Sequence, residues 1–305
     1  MSSSKKKGMT MFKGKLITLM IAMLCVNPAC GEKSTDPEPF PRTLILDYGA
    51  VWSGAHDLIA YIHEHIPGSD DPDSAGIYII RPDGAGKRMI YQGIFIFGID
   101  WSDDGQMIIA NSNYMLVKIS YPDGAADTLT GSGQYYGPVW SPDGEQIAYN
   151  RRIGDDRGIR VMGESGNNDR LVIAYGDFVN WPYADSILYL NADTAYTVGS
   201  LYIAVTSGAY RREIFMDDIF IPTELVSRMH AVTRRIVFHA QLPGETRSLW
   251  KLENGFENAV RIKAFAIYPN FSPDGEEIIY TDTHEDNGRL WIINWDGSAL
   301  RQLTH

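Results

Sequence analysis

Cysteine is almost absent from this chain: of 305 residues, only Cys25 and Cys30 carry a thiol. Both lie in the first thirty positions, so the body of the protein can form no disulfide framework and no Cys-x-x-Cys metal site. Also missing are a Gly-x-Ser-x-Gly elbow, a Gly-x-x-x-x-Gly-Lys phosphate loop and a His-Glu-x-x-His helix. Those absences weigh against the common hydrolases, nucleotide enzymes and zinc peptidases, leaving open a site assembled from distant residues. Positive charge is scarce, with 27 Lys and Arg against 38 Asp and Glu, a formal charge of −11. So acidic a chain repels phosphate backbones and anionic lipid, which argues against nucleic-acid partners. Long apolar runs are missing too. The longest, Leu16–Val26, rises only about 16 Å as a helix, against a bilayer core of about 30 Å.

That short run follows Lys5, Lys6, Lys7, Lys13 and Lys15 and leads to the small residue Ala29. The pattern describes an export signal over residues 1–29. "NPACGEKSTDPEPFP" then resembles a bacterial lipoprotein junction, with Cys30 as the lipidated residue and residues 30–41 as a polar, proline-bearing tether. Asn27 and Pro28 depart from the usual junction, so cleavage with an unmodified Cys30 is the alternative. Removing five lysines and no acid would take the formal charge from −11 to −16. The lipid would be the only membrane contact.

What the body of the chain does have is glycine and aromatic residues: 29 Gly, 17 Tyr and 7 Trp. These favour strands and turns over helices. "WSPDGEQIAY" at Trp140 returns as "FSPDGEEIIY" at Phe271 and "WSDDGQMIIA" at Trp101. In each, an isoleucine stands seven residues after the aromatic anchor. The same frame fits Trp52 and Met229, and fits Trp181 with a one-residue slip. Successive anchors are 49, 39, 41, 48 and 42 residues apart. A second hairpin recurs as "GIYIIRPDGAGKRMI", "LVKISYPDGAADTLT" and "LWIINWDGSALRQLT". Six units of four short strands predict an all-β, six-bladed β-propeller over residues 42–305, since ring closure protects edges that an open array would expose.

The repeated aromatic, Ser-Pro-Asp-Gly and Ile-Ala-Tyr resemble the TolB-like β-propeller family across nearly all of residues 43–305. The resemblance is strongest in repeats two, three and six. TolB itself looks like a propeller preceded by a separate α/β domain, for which only about a dozen tether residues are present here. The Asp and Gly of each repeat read as turn chemistry rather than catalysis. Thr43–Asp47 resembles a fourth strand preceding a new blade, while "LRQLTH" at the end reads as the fourth strand of the last blade; the N-terminal strand is therefore expected to pair with the C-terminal blade and latch the ring.

Three groups are candidates for a site. His63 and His65 alternate onto one face of a strand and could share a divalent cation with Asp70, Asp71 and Asp73, although no spacing there fixes a coordination geometry. Repeats four and five lose the Asp-Gly turns and carry Arg211, Arg212, Asp217, Asp218, His230, Arg234, Arg235 and His239. Tyr135, Tyr136, Phe97 and Phe178 precede their anchors in loops that would rim one mouth of the channel, where aromatic rings could hold a peptide or stack on a sugar. The expectation is a monomeric, non-enzymatic binding or scaffolding propeller of the cell envelope, with a protein or glycan partner and no cofactor. Some related propellers look like polysaccharide lyases or cyclases with metal sites built from channel histidines. Under that alternative His63, His65, His230 and His239 carry the site. A small-ligand sensor is a third class.

Overall fold

The computed structural model describes residues 45–65, 73–152, 157–192, 199–207, 211–216, 227–242, 244–252, 258–284 and 288–305. The export segment, Cys30 and the tether lie outside these residues, as do Asp70, Asp71, Asp217, Asp218 and the Phe178 side chain.

Six four-stranded antiparallel sheets follow one another along the chain. The first contains β1 (Ile45–Trp52), β2 (Ile59–His65), β3 (Gly76–Ile80) and β4 (Arg88–Gln92). The second has β5 (Ile99–Trp101), β6 (Met107–Ser112), β7 (Met115–Ser120) and β8 (Ala126–Thr128). The third has β9 (Tyr135–Trp140), β10 (Gln146–Arg151), β11 (Gly158–Gly163) and β12 (Arg170–Ala174). Next come β13 (Gly176–Tyr183), β14 (Ser186–Ala192), β15 (Gly199–Val205) and β16 (Arg211–Met216). The fifth has β17 (Ser227–Met229), β18 (Ile236–Ala240), β19 (Ser248–Leu252) and β20 (Ala259–Ala264). The last has β21 (Ala266–Phe271), β22 (Glu277–Asp282), β23 (Arg289–Asn294) and β24 (Arg301–Gln302). The first strand of each sheet is an edge strand and touches the first strand of the next, and β21 returns to β1. The fold is therefore a closed six-bladed propeller around a central channel.

The seven-residue spacing in the sequence is a cross-strand pair. Trp52 faces Ile59, Trp101 faces Ile108, Trp140 faces Ile147, Met229 faces Ile236 and Phe271 faces Ile278. All five isoleucines are completely buried. In the fourth blade, two register shifts between Asp177 and Tyr183 account for the slip after Trp181.

The connecting turn is built identically three times. In the third blade, Ser141 Oγ donates to Asp143 Oδ1 at 2.6 Å, and Asp143 Oδ1 also accepts from Glu145 N at 3.0 Å. Gln146 N returns to Ser141 Oγ at 2.9 Å. The second and sixth blades repeat this with Ser102–Asp104 and Ser272–Asp274. Gly144 takes a φ of +74°, which a side chain would strain. The aspartates of the repeat are turn-forming groups. These hydrogen bonds hold Asp104, Asp143 and Asp274 below the usual carboxylate range.

The N-terminal strand reaches the sixth blade, although not as its fourth strand. That position is filled by β24, from the chain's own C-terminus. Leu46 instead forms a parallel bridge with Gly288. Asp47 N donates to Gly288 O at 2.9 Å, and Gly288 N donates to Ile45 O at 3.0 Å. Thr281 Oγ1 donates to the Asp47 carbonyl at 3.1 Å. The buried Asp47 carboxylate lies 3.3 Å from Arg289 Nη1 through one oxygen and 2.7 Å from His63 Nδ1 through the other.

Candidate binding mouth and channel

The inner strands begin at one end of the ring and run towards the Ser-Pro-Asp-Gly turns at the other. At the first end, Phe97 and Tyr136 meet with ring centroids 5.5 Å apart. The Arg152 guanidinium lies over the Tyr136 ring at 4.7 Å and pairs with Asp177 at 2.9 Å. Phe97, Tyr136 and Arg152 are each half-buried. They bring together blades two and three, with Asp177 from blade four. A cation over a ring, beside a second ring, offers an apolar platform with fixed charge at its edge. Burial moves the Tyr136 hydroxyl pKa upward.

Tyr135 does not join them. Neighbouring residues on a strand point to opposite faces, and Tyr135 packs edge-on against Tyr149 between blades at 5.5 Å.

Across the mouth, Tyr48 and Tyr268 lie 5.7 Å apart. The Tyr48 hydroxyl stands 2.7 Å from the Ile96 carbonyl and 3.1 Å from Glu64 Oε2. Burial pushes the Glu64 carboxyl up, although Tyr48 and the Phe95 and Ile96 N–H groups donate to it. Tyr268 has φ +53°, in a strand bulge where blades one and three place Gly49 (φ +61°) and Gly137 (φ +50°). A bulky residue in this region carries about 1–2 kcal/mol of strain. Its N–H donates to His239 Nδ1 at 3.1 Å, and the two rings are 5.3 Å apart.

The four histidines do not converge. His63 is buried against Asp47, with His65 6.1 Å away by ring centroid. Asp73 pairs with Lys87. His239 anchors Tyr268. His230 lies at the opposite end, in the fifth inner turn, with Nε2 3.0 Å from the Pro273 carbonyl. Among the described residues, no group of three or more His, Cys, Asp or Glu could hold a metal ion. Of the charged residues in the divergent blades, Arg211 lies over Tyr202, and Arg235 pairs with Glu276 of the sixth blade.

The residue before each anchor is Val51, Asp100, Val139, Asn180, Arg228 or Asn270; the two valines are buried against the following blade, and the four polar residues are partly exposed. An inner strand has no sheet neighbour on its channel side, so the anchor N–H needs an acceptor. Asp100 Oδ2 accepts from Trp140 N at 2.8 Å, and Asn180 Oδ1 accepts from Met229 N at 3.0 Å. Arg228 cannot accept, and Phe271 N turns instead to its own neighbour Asn270 at 2.9 Å. Burial drives the Asp100 carboxyl up to about 6, against the pull of the Trp140 N–H, Arg228 and the Trp101 N–H. Burial likewise lowers the Arg228 pKa, which Asp100 opposes.

No protein-family model matches the chain, and no curated protein matches it. Solved structures do match. A TolB from Agrobacterium tumefaciens superposes with a TM-score of 0.61 at 18% identity, over 72% of this chain and 84% of that one. For TolB from Acinetobacter baumannii the values are 0.66 and 15%, over 88% and 65%. The fold is that of a TolB-like propeller. An oligogalacturonate lyase from Vibrio parahaemolyticus gives 0.56 at 12% identity, over 83% and 79%. At these identities the TolB-like likeness establishes architecture, and function has to come from the site.

The polar residues before the anchors do not stand out in the sequence, although the repeat frame marks their place. Asp100 and Arg228 hold the place before the anchor, where blades one and three have valine.

Proposed function

We propose that the protein is an exported, non-enzymatic binding propeller of the cell envelope, tethered through Cys30 and acting as a monomer. Its mouth would receive a protein or glycan partner. The observation that carries this reading is the Phe97–Tyr136–Arg152 cluster, which joins two half-buried rings to a guanidinium at the edge of the channel. Such a surface suits a peptide side chain or a sugar face. The test is capture of envelope proteins and glycan fragments by the full chain, repeated with Tyr136→Ala and Arg152→Ala. The partner should be lost by at least about tenfold, a typical effect for a central anchor. Undiminished capture by both variants would remove the mouth from the proposal. Mass spectrometry of the mature N-terminus tests the tether, which an unmodified Cys30 would contradict.

The likeness to an oligogalacturonate lyase keeps a polysaccharide-cleaving enzyme as the second reading. Turnover of acidic oligosaccharides by the purified protein, abolished by changing His63 or His65, would replace the binding reading with it.

A further inference from the structure

Among the described residues, five aromatic ones take left-handed backbone conformations: Phe95, Tyr114, Tyr175, Phe265 and Tyr268, with φ between +53° and +64°. A bulky side chain is an outlier there, in a place that glycine or asparagine fills with less strain. All five lie at the mouth end, and three of them share one slot. Phe95, Tyr175 and Phe265 each stand six residues before an anchor, where the chain crosses from the outer strand of one blade to the inner strand of the next. The anchors belong to blades two, four and six, which alternate round the ring. In blade two the Phe95 ring stacks on Tyr114 of the β6–β7 turn at 5.7 Å. In blade six the Phe265 ring meets His284, just after β22, edge-on at 4.9 Å. Phe95, Tyr114 and Phe265 are half-buried, whereas Tyr175 is 62% exposed, so packing within the protein does not account for that ring. Strained residues of this kind gather at ligand clamps.

The chemistry beside these rings selects an uncharged ligand. Lys263 and Asp282 stand two residues before Phe265 and His284 and pair with each other at 3.4 Å. Towards blades three and four, Arg152 is taken by Asp177 at 2.9 Å. Those charges cancel in pairs, and a chain of formal charge −11 repels polyanions such as polyuronates. The crossover backbone is also engaged within the protein. Asn113 N donates to the Ile94 carbonyl at 3.1 Å, Thr283 N to the Phe265 carbonyl at 2.8 Å, and Tyr175 N to the Arg157 carbonyl at 3.2 Å. These groups are therefore poorly placed to pair with an extended peptide. What remains is aromatic surface, repeated from blade to blade, which suits the apolar faces of sugar rings repeated along a polymer. We propose that the rim of the mouth binds a neutral polysaccharide, its sugar faces resting on Phe95, Tyr175 and Phe265. This rests on the reading of the mouth as a binding surface and chooses between its two classes of partner.

Affinity electrophoresis of the full chain through gels holding laminarin, dextran, pullulan or polygalacturonate tests this. At least one of the neutral polymers should retard the protein, and polygalacturonate should not. A disaccharide of the same sugar should compete only weakly, because a polymer resting on several rings gains effective concentration. Phe95→Gly, Tyr175→Gly and Phe265→Gly remove the rings while accepting the positive φ, so they leave the backbone unstrained. Each should weaken retention about twofold to tenfold, and the triple variant should lose it. Tyr175→Phe keeps the ring and should bind as the wild type does. The proposal is overturned if no neutral polymer binds, if polygalacturonate binds as well, if the triple variant is still retained, or if Tyr175→Phe loses as much as Tyr175→Gly. Protein capture lost on Tyr136→Ala, without any polymer retention, would sink this inference and leave the binding mouth standing. Polymer retention that survives both Tyr136→Ala and Arg152→Ala would keep the rim and remove the Phe97–Tyr136–Arg152 cluster.

Discussion

Asp100 and Asn180 stand at the same place in two blades and cap the next blade's anchor N–H in the same way. Only one carries a charge, so Asp100→Asn isolates the effect of that charge. The folded Asp100 pKa of about 6 lies above the ordinary value. The folded state therefore holds this proton more tightly, and stability falls as pH rises from about 4 to 6, by roughly 1–3 kcal/mol. Asp100→Asn should flatten that part of the profile and raise the Tm at pH 7, as melting curves between pH 4 and 8 will show. Unchanged curves would mean that Arg228 already offsets the burial. Residue-scale chemistry is also where the sequence misled. Tyr135 and Tyr136 look alike as a pair, yet alternation sends one between blades and leaves the other at the mouth. Tyr268, in a slot that sister repeats fill with glycine, was legible only by aligning "YGAVW" and "YGPVW" with "IYPNF".

For the single element, the repeated turn makes a sharp comparison. Gly144 and Gly275 share a φ of +74°, so alanine strains both backbones equally, by about 1 kcal/mol. A Cβ at Gly144 meets nothing within 4 Å, whereas one at Gly275 would stand 2.6 Å from the His230 ring. Gly275→Ala should therefore cost at least about 1 kcal/mol more than Gly144→Ala in denaturant unfolding. Equal costs would show that His230 moves aside freely. Asp143→Ala removes the acceptor of two hydrogen bonds and should cost about 1 kcal/mol. Elements were the most legible scale, because a cross-strand pair such as Trp140–Ile147 repeats at fixed spacing. His230 was not legible, since its contact comes from the next blade, over forty residues on.

For the whole molecule, closure of the ring rests on Asp47. It joins β1 to the sixth blade through its N–H, its carbonyl and its carboxylate, and it also binds His63. Asp47→Ala would leave buried polar partners unpaired and should destabilise the propeller by about 3–5 kcal/mol. Arg289→Ala should cost less, because its side chain is partly exposed. Deleting residues 43–47 should lower the Tm as well. An Asp47→Ala protein that melts like the wild type would show that blade packing alone closes the ring. A latch was foreseeable from "RTLILDYGAVW", but its form was not. A parallel bridge to Gly288 has no sequence period, although "LRQLTH" was legible as the strand at the outer edge.

Three polar side chains, Asn150, His239 and Thr281, occupy one position in their second strands and each reaches the inner strand of the following blade. All three point the same way round the ring, so an inner strand is met by the blade that precedes it round the ring, which in the chain is normally the blade already made. The first blade is the exception. Its Asp47 waits for Thr281 and Arg289, 234 and 242 residues further along the chain. Throughout synthesis, and any threading across a membrane, the first blade therefore exposes a raw edge with a carboxylate bound for burial. Chaperones and proteases would meet the nascent protein there.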